Sequence, residues 1–370
     1  MKFTNENIVW NGRYLDYQDI RYFDYSASGF TFCLSGKKAV ATIVSDPENF
    51  EEIYRGVLGI KITHADGKTD FSKVRLDKKE NKIILFESKT DETVTIDVIR
   101  LSEAIYGYSG LKNLEIDGMI IGSSPIMTNG SPVMTSKNVI VGLDPTILKY
   151  EIIGDSITCG YGIEGVFGKD VFTTMQERPD LAYAYLTMKK LNANFHLVSR
   201  SGIGLISCYA DPETFKTPNL AEPLMSQLWP YTDLFLSKRL GIEPEVWDES
   251  RFSPDVVILH LGTNDNSWVR NLEDRRLSFV NLYEQMLEAI HRRSPKAKIV
   301  CCLGAMGQEL CDSVEQALAN FAKTFPSVKT KFVKFQLQDE VNDGVGTDWH
   351  PSAVTHEKMS ELLKQALLQF

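Results

Sequence analysis

The hydrophobic rhythm of the chain changes once, near Asp144-Pro145. Before that point apolar residues come in short, roughly alternating runs, among them 29–34, 39–44, 83–86 and 94–101. A period of two puts successive side chains on opposite faces, so these runs predict β-strands. Gly, Asn, Asp and Lys punctuate them, and Ala65-Asp66-Gly67-Lys68 and Lys79-Glu80-Asn81 have the composition of hairpin turns. No long amphipathic helix can be written through this region. Residues 1–145 are therefore expected to form a β-sandwich of jelly-roll type.

After the change, strand-like and helix-like runs alternate. Strands are predicted over 148–153, 195–199, 255–261, 298–303 and 330–335, and helices over 181–191, 273–293, 311–323 and 352–368. In the helix 273–293 the apolar positions Leu277, Val280, Met286, Leu287 and Ile290 recur at helical spacing. Such alternation implies a parallel sheet with helices on both faces, so 146–370 is expected as a three-layer α/β/α domain. The fold class is α/β with an all-β domain in front. The stretch 218–254, with five prolines, is the least regular and is expected to lie over the active site as an insertion.

A length of 370 residues is more than one ordinary core absorbs, which agrees with two domains. At 43% hydrophobic and 24% charged residues, the composition is that of a soluble globular protein. A net charge of −9 speaks against a nucleic-acid partner and against an anionic membrane surface. The polar start Met1-Lys2-Phe3-Thr4-Asn5-Glu6-Asn7 does not read as a secretory leader. The expectation is a cytoplasmic protein, or one whose leader was removed before the numbering begins. Cys33, Cys159, Cys208, Cys301, Cys302 and Cys311 form no Cys-x-x-Cys pair and are expected as buried thiols. No Cys/His set has zinc-ligand spacing, so neither metal nor cofactor is expected.

Four segments in the second region carry chemistry. Gly154-Asp155-Ser156-Ile157-Thr158 follows a predicted strand, where α/β proteins gather reactive groups. There Ser156 is the candidate nucleophile, with its own N–H facing the reaction; a helix-capping serine is the alternative. Ser201-Gly202-Ile203-Gly204 follows the next strand. A glycine N–H can approach a developing oxyanion unhindered, so Gly202 is the candidate donor, with Gly204 as the fallback. Asn264, in Gly262-Thr263-Asn264-Asp265, offers a side-chain amide to the same oxygen, while Asp265 is expected to hold the loop. His350, in Asp348-Trp349-His350-Pro351, is the candidate base, with Pro351 near the start of the last helix. Asp348 is the candidate acid on its far nitrogen; a backbone carbonyl in that place would leave a Ser–His dyad. His260 and His356 are expected to be structural. Trp268, Trp349 and Tyr161 adjoin these segments and are candidate platforms for a substrate ring.

Taken in order, these blocks resemble the SGNH, or GDSL-like, hydrolase superfamily over roughly 146–370. That superfamily usually places its acid three residues before the histidine, a position held here by Thr347. The Asp-Trp-His-Pro run is similar to carbohydrate esterase family 2, whose members also carry a jelly-roll domain in front. The resemblance implies a serine esterase that removes acetyl groups from xylan-type fragments, of acetylxylan esterase kind, without metal or cofactor. The implied partner is an acetylated carbohydrate. Two other readings stay open: an SGNH esterase or thioesterase for lipid substrates, and a carbohydrate-binding protein with an inert hydrolase domain. Self-association into a homo-oligomer is compatible with the sequence and is not required by it.

Overall fold

The computed structural model describes residues 7–122, 126–128, 131–133, 147–211 and 213–370. The chain divides into two compact units, Met1–Pro145 with Thr173–Met175, and Thr146–Phe172 with Gln176–Phe370. The expected boundary between 145 and 146 lies outside the described residues, as does most of the polar N-terminal start.

The first unit contains β1 (Val9–Asn11), β2 (Leu15–Tyr17), β3 (Ile20–Tyr22), β4 (Gly29–Val44), β5 (Val57–His64), β6 (Thr69–Arg75), β7 (Glu80–Arg100) and β8 (Gly110–Gly122). They join in one antiparallel sheet of order β2-β3-β8-β4-β7-β5-β6, with β1 on β4. A short hairpin follows, β9 (Ile126–Thr128) with β10 (Ser131–Val133). The separate runs read at 29–34 and 39–44 are one strand. Its core-facing positions are Phe30, Phe32 and Leu34, then Ala39, Ala41 and Ile43. The switch from even to odd numbers requires an irregularity in the pleat, and the pairing register of β4 with β7 shifts between Gly36 and Lys38. Gly36 and Gly118 meet there, where a Cβ on Gly36 would lie 2.3 Å from Asp117 O. Bulges of this kind bend long strands, and the sheet curls over a core of Phe30, Phe32, Leu58, Ile96 and Val98.

The second unit contains β11 (Lys149–Gly154), α1 (Ser156–Cys159), α2 (Tyr183–Lys190), β12 (Asn194–Ser199), α3 (Met225–Leu228), α4 (Leu234–Leu240), β13 (Val256–His260), α5 (Thr263–Val269), α6 (Glu273–Arg293), β14 (Lys298–Leu303), α7 (Cys311–Thr324), β15 (Thr330–Lys334) and α8 (Ala353–Leu368). The five strands form a parallel sheet of order β12-β11-β13-β14-β15. Strand β13 is buried along its whole length, its four apolar residues Val256, Val257, Ile258 and Leu259 followed by the buried His260. From β11 the chain steps to one side and then returns to build on the other. Right-handed crossovers in opposite directions send helices to opposite faces, and α2 packs on α8 while α6 packs on α7. The crevice at the carboxyl ends of β11 and β13 is thus the switch point where ligands of such sheets bind. The proline-rich stretch holds α3 and α4, and its Trp229 Nε1 donates to Glu151 Oε2 at 3.1 Å on β11. Among the described residues no helix is long and apolar enough to cross a membrane. The six cysteines are buried and none is in a disulfide.

Candidate active site

Ser156 stands just past β11, as the first residue of α1. Asp155 caps that helix, its Oδ1 accepting from Ile157 N at 3.0 Å, so the cap and the candidate nucleophile are different residues. Gly154 allows the turn to close tightly, since a Cβ there would sit 2.0 Å from Thr158 Oγ1. The Ser156 N–H belongs to the first turn, where no intrahelical acceptor exists.

His350 Nε2 lies 2.8 Å from Ser156 Oγ, and its Nδ1 lies 3.2 Å from the main-chain oxygen of Asp348. A carbonyl can only accept, so Nδ1 carries the proton and Nε2 is left as the acceptor for the serine hydroxyl. The geometry therefore selects the tautomer that a general base needs. Burial pushes the His350 imidazole down to about 4, against the raising effect of its bonds to Asp348 and Thr347. The base is active when neutral, so the acid limb of kcat/KM should fall near pH 4, below the ordinary imidazole range. A pH–rate profile checks this. A limb near 6.5, the ordinary imidazole value, would show an imidazole that is not desolvated.

The loop that presents His350 is fixed at several points. Thr347 N donates to Gly162 O at 3.0 Å, Gly346 N donates to His350 O at 2.8 Å, and Thr347 Oγ1 donates to Gln176 Oε1 at 2.9 Å. Asp348 and Trp349 both have left-handed backbones, with φ of 52° and 62°. Each costs roughly 1–2 kcal/mol for a non-glycine residue, which the surroundings must hold in place. Pro351 precedes the helix instead of opening it; Ser352 is the cap, its Oγ accepting from Thr355 N.

Asp348 meets His350 through its main-chain oxygen, whereas its carboxylate Oδ2 accepts from Tyr161 OH at 2.8 Å. The expected carboxylate–imidazole bond is replaced by a carbonyl–imidazole bond, because the left-handed turn aims the peptide at the ring. This is the geometry that the dyad alternative expects.

Gly202 has φ of 75°, and a Cβ there would meet nothing nearer than Tyr209 Cβ at 4.0 Å, so the glycine is needed for its backbone and faces open space. Gly204 does different work. A Cβ on it would lie 2.6 Å from Asp265 Oδ1, the atom that accepts from Leu205 N and Ile206 N at 2.7 Å. Asp265 thus holds the loop that carries Gly202. Asn264 Nδ2 donates to Ile203 O at 2.9 Å and reaches Asp155 Oδ2 at 3.4 Å. The first bond locks the amide onto the glycine loop, and the second hydrogen is held only loosely. Burial raises the Asp155 carboxyl to about 7, with Asp265 beside it adding to the rise, and raises Asp265 to about 6 against its three N–H donors.

Of the three aromatic candidates, one is exposed. Trp349 is 37% exposed. Trp268 is only 8% exposed and lies under the Arg275 guanidinium, 3.6 Å from its ring centroid, so it is a packing residue and no open platform. Tyr161 is also occupied by protein. Its ring stacks on Phe172 at 3.8 Å and leans on His350 at 4.4 Å. An exposed ring that the sequence reading did not single out is Tyr209, whose N–H donates to Gly202 O at 2.8 Å. It sits in an irregular stretch without a periodic pattern, so its place beside the glycine turn has no sequence signal. His260 and His356 are buried and held near a pKa of 3 by desolvation. They belong to a packed network in which Tyr183 OH meets His260 Nδ1 and Thr158 Oγ1, and Tyr183 N donates to His356 Nδ1.

The chain belongs to the GDSL-like lipase/acylhydrolase family, with the match running over residues 152–358. Within it, the chain is similar to the cellulase/esterase CelE of Acetivibrio thermocellus, at 36% identity over 232 residues, or 62% of this chain and 26% of that protein. It thus spans about a quarter of the length of CelE, at 26%. An acetylxylan esterase/glucomannan deacetylase of Cellvibrio japonicus is 27% identical over 80% of this chain and 72% of its own. Among solved structures, a family two carbohydrate esterase from Clostridium thermocellum in complex with cellohexaose matches with a TM-score of 0.77 and 28% identity, over 98% of both chains. The acetyl xylan esterase Est2A from Butyrivibrio proteoclasticus shares the fold, with a TM-score of 0.81 at 20% identity over 99% of this chain and 96% of its own.

Proposed function

We propose that this chain is a serine carboxylic ester hydrolase that removes O-acetyl groups from plant-polysaccharide fragments. The observation that carries the reading is the Ser156 Oγ to His350 Nε2 distance of 2.8 Å with Nδ1 held by a carbonyl. Ser156 attacks the ester carbonyl as His350 takes its proton. The charge that grows on the carbonyl oxygen is met by the N–H groups of Ser156 and Gly202 and by the Asn264 amide. His350 then returns the proton to the departing sugar hydroxyl, leaving an acetyl-serine. A water molecule, deprotonated by the same imidazole, releases acetate and restores the serine.

Similarity to a carbohydrate esterase in complex with cellohexaose, and to an acetylxylan esterase/glucomannan deacetylase, supports an acetylated carbohydrate as substrate. Two exposed rings, Tyr209 and Trp349, supply apolar faces of the kind a pyranose stacks against. A series of aryl esters of rising acyl length tests the reading against a lipid esterase. The expected result is an acetyl optimum, with kcat/KM falling about tenfold or more for each pair of added methylenes. An optimum at octanoyl or longer would overturn the acetyl assignment.

A further inference from the structure

Tyr161 touches both halves of the dyad. Its N–H donates to Ser156 O at 3.1 Å, at the turn that carries the nucleophile. Its hydroxyl donates to Asp348 Oδ2 at 2.8 Å, and its ring rests on the imidazole of His350. The parallel stack on Phe172, a residue only 5% exposed, leaves the ring little freedom to turn. Asp348 is the residue whose left-handed backbone delivers a carbonyl to His350 Nδ1. Among the described residues, the Tyr161 hydroxyl is the group that grips the Asp348 carboxylate.

Resting on the dyad reading above, we propose that Tyr161 and Asp348 form a brace that sets the reach of His350 to Ser156. Both are positioning residues. The carboxylate of Asp348 acts on the loop, by anchoring a strained residue to a rigid post on the nucleophile's own turn. The imidazole receives its hydrogen bond from the peptide. A side chain that accepts the tyrosine hydroxyl and tolerates a left-handed backbone should therefore replace aspartate, whether or not it is charged. Asparagine meets both conditions. Glycine meets the second and lacks the acceptor.

The test is a kinetic cycle with an aryl acetate on Tyr161→Phe, Asp348→Asn, Asp348→Gly and the double variant Tyr161→Phe/Asp348→Gly, with Ser156→Ala alongside. Tyr161→Phe keeps the ring and loses the bond to a charged acceptor, so kcat should fall about tenfold with KM unchanged. Asp348→Gly should match it, and the double variant should be no worse than either single one, since both remove the same contact. Asp348→Asn should stay within a few-fold of the wild type. The proposal is overturned if Asp348→Asn loses about 10³-fold or more while Tyr161→Phe is near wild type, the pattern of a carboxylate acting on the imidazole itself. It is equally overturned if the two single losses add in the double variant. Turnover that survives in Ser156→Ala would sink the dyad reading instead, whatever the cycle shows.

Discussion

Ser156→Ala should lower aryl acetate hydrolysis by about 10⁶-fold, with the fold intact, and His350→Ala should fall by a similar factor. The reason is the shared proton. Without the imidazole the hydroxyl is too weak a nucleophile, and without the hydroxyl the imidazole has nothing to activate. The two losses should not add, so the double variant should be as poor as either single one. What is left should be the contribution of binding and of the oxyanion donors. Ser156 is the first residue of a short helix whose cap is Asp155, so its hydroxyl contributes nothing to the cap. Melting temperature should consequently move little in Ser156→Ala. Initial-rate kinetics beside a thermal melt check both halves. A variant that keeps a tenth of the activity would place the nucleophile elsewhere.

Asn264→Ala should cost about 10² to 10³ in kcat with a small change in KM. A donor aimed at the charge of the transition state acts where the charge develops, and contributes little to holding the ground-state ester. The amide is placed by its bond to Ile203 O, and Asp265 holds the neighbouring loop through Leu205 N and Ile206 N. Asp265 is untouched in this variant and keeps its bonds to Leu205 N and Ile206 N, so the loss should combine the missing donor with the missing bond to Ile203 O. A split of kcat from KM tests this. A large rise in KM with kcat retained would reassign Asn264 to substrate binding.

Much of the second unit was legible because its periodicity is strong. The helix expected over 273–293 is α6, Glu273–Arg293, with Val280, Met286, Leu287 and Ile290 buried along one stripe. Leu277, assigned to the same stripe, is 49% exposed, which shows the limit of spacing alone at the stripe's margin. In the first unit the short run at 83–86 and all but the last residue of the run at 94–101 belong to the single strand β7. Between them lies a polar stretch that breaks the alternation: the pairing with β4 passes from Lys38 opposite Glu87 to Gly36 opposite Glu92 across a register shift, and the strand assignment runs on through it.

Within the site, what the sequence could not express is which atom of a residue faces which partner. Spacing put Asp348 next to His350, but the choice between carboxylate and carbonyl depends on a left-handed turn that no composition rule announces at Asp-Trp. Trp268 shows a readable signal that was missed. Helix α5 spans Thr263–Val269, which puts Trp268 four residues after Asn264 on one helix face. Both are buried, at 8% and 7% exposed, as a shared inward face demands. Tyr161 carried a real signal of proximity, five residues after Ser156, but spacing alone did not show that its ring lies against Phe172 and His350 and its hydroxyl on Asp348.

The most direct test of the account is acetate release from acetylated xylo-oligosaccharides by the wild type and by Ser156→Ala. The account predicts stoichiometric acetate from the wild type and none above the uncatalysed rate from the variant. Equal release from both, or none from the wild type on any acetylated oligosaccharide, would contradict it.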